Sequence, residues 1–129
     1  MDLTLMSFSV RAEADMPLHD MAMRVMEATG CQLIEGSYHR IPAMSGNILG
    51  TNAGLFEWGG ANGTVFRFEG YAEDRRFLEF MRDKPASVHS LDISQAVADL
   101  LTVFTDSKWR LPTPEDDAAE KVYGDSIDM

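Results

Sequence analysis

Three histidines, His19, His39 and His89, are the first side chains in this sequence to examine for chemistry, because imidazole titrates near neutrality and ligates metals. They fall in separate predicted segments, no two stand at HxxxH spacing, and one cysteine cannot form a CxxC pair, so no face collects ligands. Neither a metal site nor a cofactor is expected. Ser37-Tyr38-His39-Arg40 brings polar groups together where a strand should end, the loop position at which function concentrates. Tyr38, His39 and Arg40 are therefore the candidate residues for a small-ligand or enzyme pocket between sheet and helices. Cys31 follows a predicted helix cap and reads as a small core hydrophobe; a nucleophile needs a cationic, partly exposed setting.

Carboxylates are numerous, but no two stand at a defined interval in an apolar stretch, as acid–base catalysis by a pair requires. Glycine-rich GGANG (59–63) lacks the lysine of a phosphate-cradling loop and is flanked by strand patterns, so it reads as a hairpin turn. With no catalytic signature, a non-catalytic protein is the first expectation. Its chemistry is then charge. The chain carries 21 acids against 11 Lys and Arg, net −10, and residues 92–129 hold 9 acids and 3 bases. Such a field repels a nucleic acid backbone and steers a basic protein inward. Asp116, Asp117 and Glu120 near the C-terminus, with Glu57 and Glu69 in the hairpin, are the residues expected to meet that partner.

Elements to position these groups are legible as periodicities. Residues 3–10, LTLMSFSV, alternate as a strand with Met6, Phe8 and Val10 on one face. Asp15-Met16-Pro17 starts a helix, Leu18, Met21, Ala22, Val25, Met26 and Thr29 mark its apolar stripe, and Gly30 suits a left-handed cap. Met23 lies off that stripe. Residues 31–38 predict a second strand, 40–46 a surface loop, and 47–58 a strand interrupted by Gly50 and Gly54. Phe56 and Trp58 on one arm of a hairpin and Phe66 and Phe68 on the other suggest a continuous aromatic sheet face under helices, with Glu57 and Glu69 facing solvent opposite it. Residues 73–84 show helical spacing, and Ile93, Val97, Leu100, Leu101 and Phe104 predict a further amphipathic helix with Asp92 and Gln95, or Ser94, as cap. Thr113-Pro114 followed by acids starts a short terminal helix.

These patterns predict one α+β domain over 1–111, followed by an acidic C-terminal helix or tail over 112–129. The fold expected is a mainly antiparallel sheet of about four strands in the order β-α-β-β-β-α-α, with helices on one face. An acidic second residue where a secretory signal carries bases, a lone cysteine and short apolar runs suggest a cytoplasmic chain without membrane association. In composition the chain is similar to small acidic inhibitor and immunity proteins, which resemblance implies neutralisation of a basic toxin or nuclease. The alternatives are the pocket near Tyr38, His39 and Arg40, and a structural homodimer paired through Met23 or the edge of the 47–58 strand.

Overall fold

A computed structural model describes residues 6–38, 41–48, 51–60, 63–72, 91–118 and 120. The predicted helix at 73–84 lies outside them, as do His39, Arg40 and His89. The described chain is α+β, built on a single mainly antiparallel sheet. Its elements are β1 (Met6–Glu13), α1 (Leu18–Thr29), β2 (Ile34–Tyr38), β3 (Ile41–Ile48), β4 (Thr51–Gly60), β5 (Gly63–Ala72), β6 (Leu91–Asp92), α2 (Ser94–Thr105) and β7 (Trp109–Arg110). A short helix over 114–118 follows.

Among the described residues the sheet has seven strands rather than about four, in the order β2-β3-β4-β5-β1-β6, and β7 also pairs with β1. Two expectations fail here for one reason. The predicted loop at 40–46 is most of β3, and the single strand predicted over 47–58 is the end of β3 and most of β4, joined where Ile48 pairs with Thr51. Pro42 suggested a break, yet it pairs with Ser37 ahead of the Met44–Ile48 stretch that joins β4, so its missing N–H interrupts no β3–β4 ladder. As a result β4 lies between β3 and β5 and offers no edge; the outer strand on that side is β2.

Alternation then assigns the faces. Phe8, Val10 and Ala12 of β1, Phe66 and Phe68 of β5, Leu55 of β4 and Met44 of β3 form the core with Met21, Ala22 and Val25 of α1 and Val97, Ala98 and Leu101 of α2. Both long helices thus cover one face, and α1 ends as its sequence predicts, with Gly30 at φ 71° and its N–H bonded to Met26 O. At the start of α2, Asp92 Oδ1 accepts from Ser94 N at 2.8 Å, whereas Gln95 turns to Asp99. The edge of β1 is closed by β6, parallel at Met6–Ser7, and by β7, antiparallel at Arg11–Ala12. Trp109 of β7 completes the core and gives its indole N–H to Thr105 Oγ1 at 2.9 Å.

The aromatic hairpin exists, but its register splits the rings. Leu55 pairs with Phe68 and Phe56 with Arg67, so Phe56 faces away from Phe66 and Phe68. On that opposite face it packs with Ala43, Tyr38 and Ile41 in a small second apolar cluster. Among the described residues no helix is long and apolar enough to cross a membrane.

Candidate functional site

Among the described residues the face opposite the two long helices is polar, and it holds most of the unusual chemistry. Its rows run Ser9–Glu69–Gly54, Arg11–Arg67–Phe56 and Ser7–Tyr71–Asn52 across β1, β5 and β4. Arg11 is only 2% exposed. Its guanidinium donates from Nε to Glu120 Oε2 at 2.6 Å and from Nη2 to Glu120 Oε1 at 2.8 Å, a two-point pairing that crosses 109 residues of chain. Arg67 reaches Glu120 at 3.3 Å and Glu69 at 3.0 Å, and lies over the Phe56 ring at 5.2 Å. Ser9 Oγ donates to Glu69 at 2.5 Å and accepts from Arg11 at 2.8 Å. Among the described residues, two arginines thus meet two carboxylates on this face.

Beyond it, at the C-terminal end of β1, acids gather around Arg110. This guanidinium donates to both oxygens of Asp116 and, at 3.0 Å, to Glu13. Thr113 and Asp116 form a reciprocal cap: Asp116 Oδ2 accepts from Thr113 N at 2.7 Å, and Asp116 N donates to Thr113 Oγ1 at 3.2 Å. The Arg110 hydrogen bond, opposed by burial and aided by Thr113, lowers the Asp116 carboxyl to about 2, and the same pairing raises Arg110. Because Arg110 ties β1 to the terminal helix, the exposed carboxylates of Asp15, Glu115 and Asp117 share this end of the molecule with Glu13. Among the described residues they outnumber Arg110 and the exposed Lys108.

A groove of about 410 Å³ opens at the other end of the polar face, lined by Ser37, Tyr38, Ser45, Asn47, Asn52 and Tyr71, with Gly46 and Ala53. Gly54 makes it possible. A Cβ at that position would stand 2.5 Å from Tyr38 Cγ, so only glycine lets the tyrosine lie on the sheet. Tyr38 stacks on Phe56 with centroids 6.1 Å apart and meets Tyr71 at 6.5 Å. Burial, then nearby Glu69, pushes its phenol up to about 12, so it stays protonated at neutral pH.

The residues predicted as sites therefore separate. Glu57 and Asp117 are exposed. Glu69 does not stand with Glu57: pairing of Glu57 with Phe66 and of Glu69 with Gly54 puts them on opposite faces, and Glu69 is bound by arginines. Glu120, expected to face a partner, is 8% exposed and turned onto Arg11, while Asp116 is held by Arg110. Tyr38 lines the groove, which sits on the polar face rather than between sheet and helices; His39 and Arg40 lie outside the described residues. Met23 is exposed, and Met16 packs against the core. The sequence reading missed Arg11, Arg67, Asn47, Asn52 and Tyr71. Alternation with Phe8, Val10, Phe66 and Phe68 was a signal for the two arginines, since it puts both on the face away from the core.

The chain matches no protein-family model, and comparisons with curated proteins and with solved structures return no match.

Proposed function

We propose that this chain is a non-catalytic binding protein whose acidic end receives a basic protein and inhibits it by covering its surface, as an immunity-type protein does to a toxin or nuclease. The supporting observation is the clasp in which Arg110 joins Glu13 at the end of β1 to Asp116 of the terminal helix, with exposed Asp15, Glu115 and Asp117 one or two residues along the chain from those two acids. A clasped helix presents its acids on a fixed frame, so less side-chain and loop ordering opposes association. In this reading the paired Arg11, Arg67, Glu69 and Glu120 serve the frame, not the partner. Glu57, paired with Phe66 in the row of Ala12, is exposed on the other face of the sheet from Glu13 and is separate from this acidic end. Exposed carboxylates act mainly on encounter rate and on choice of partner.

The test is to capture basic proteins on the immobilised chain and titrate the purified partner against it. Charge reversal with Glu115→Lys and Asp117→Lys is expected to weaken binding by about tenfold or more, mostly through slower association, and added salt to weaken the parent complex. An affinity indifferent to both the reversal and to salt would overturn this reading.

A further inference from the structure

The groove on the polar face differs from the rest of the molecule in chemistry. Among its described lining residues none carries a charge, in a chain of net −10. What they offer instead is hydrogen bonding that both donates and accepts: amides from Asn47 and Asn52, hydroxyls from Ser37 and Ser45, and phenols from Tyr38 and Tyr71. Asn47 and Asn52 are register partners on β3 and β4, so their Cα atoms stand about 5 Å apart. That places two carboxamides side by side, able to bracket neighbouring hydroxyls on one ligand. The tyrosine rings supply the apolar part of the wall, set at 58° to each other.

Rigidity adds to the case. All the lining residues lie on paired strands, and Tyr38 is held between the bare backbone of Gly54 and the ring of Phe56. A site built on strands keeps its donors in place before a ligand arrives. The cavity volume of about 410 Å³ is within the roughly 300–1,000 Å³ range of small-molecule sites. A phosphorylated ligand would find no cation among the described lining residues, and a purely apolar one would leave the amides unpaired at a cost.

We propose that this groove binds a neutral, hydroxyl-rich small molecule of sugar size, with Asn47 and Asn52 bonding its hydroxyls and Tyr38 and Tyr71 packing against its C–H face. The site is separate from the acidic end and does not depend on the partner proposed there.

Saturation-transfer NMR and calorimetric titration with glucose, N-acetylglucosamine and myo-inositol test it, with glucose 6-phosphate and glucosamine as charged comparisons. At least one neutral probe should bind saturably. Asn47→Ala and Asn52→Ala should each weaken it by about five- to tenfold, the loss of one hydrogen bond, with thermal melts confirming a folded chain. The Glu115→Lys, Asp117→Lys variant should bind the same probe as the parent does. Absence of saturation by all three neutral probes up to about 50 mM, unchanged affinity in both groove variants, or tightest binding of a charged comparison would each overturn the assignment.

Discussion

The two faces of the sheet solve the same problem by opposite means. On one, Phe8, Val10, Phe66, Phe68 and Leu55 are buried by α1 and α2, and stabilisation comes from apolar area removed from water. On the other, Arg11 is buried just as fully and is tolerated because Glu120 and Glu69 meet it. The apolar face is non-directional and forgiving of detail, whereas the polar face depends on pairing geometry. Both the groove beside Tyr38 and the acids joined by Arg110 lie on the polar side, at its two ends.

The contrast can be tested by unequal substitutions. Phe68→Ala should have the largest effect, lowering stability by about 3–5 kcal/mol in a denaturant titration, because its ring is fully buried among Phe8, Trp109 and the helices. On the polar face Arg11→Met should cost a comparable 3–5 kcal/mol, about as much as that cavity, by leaving Glu120 buried without its two-point partner. Adding Glu120→Leu to Arg11→Met should recover most of that loss, as an apolar pair replaces an ionic one. If the double variant is no better than the single, the network contributes through something other than charge compensation.

The smallest expected effect is at the acidic rim. Asp116 titrates near 2 in the folded chain against an ordinary 3.8, so its contribution is complete above the ordinary value and is lost as pH falls through about 2. Stability measured from about pH 5 down to 2 should therefore fall more steeply in the parent than in Asp116→Asn, which lacks the titrating group. Parallel curves would show that the Arg110 clasp adds nothing to folding.

Much of the fold was readable in the sequence where the period is local. The stripe Leu18–Thr29 with Gly30, the β1 alternation and the Thr113-Pro114 helix start appear in place, because each is decided within a few residues by side-chain spacing and cap chemistry; the helix predicted from Ile93 to Phe104 forms too, but Phe104 of its expected stripe is exposed and Ala98 and Thr105 are buried instead. The candidate site was legible only in pieces. Tyr38 and the flanking acids were named from their positions, and the close approach at Gly54 follows the ordinary meaning of a glycine inside a strand.

The amino-acid order by itself determined the class of fold, the helix ends and the acidic balance, since propensity, capping and net charge are properties of short segments and of their sum. Only the tertiary structure decided register. A shift of one residue between β4 and β5 exchanges the two faces, so pairing of Leu55 with Phe68 sends Phe56 and Glu69 to the polar side, and nothing in either strand alone specifies it. The same holds for Arg11 and Glu120: they meet because the sheet and the terminal helix close on each other, and a buried charge finds its partner in space, not in sequence.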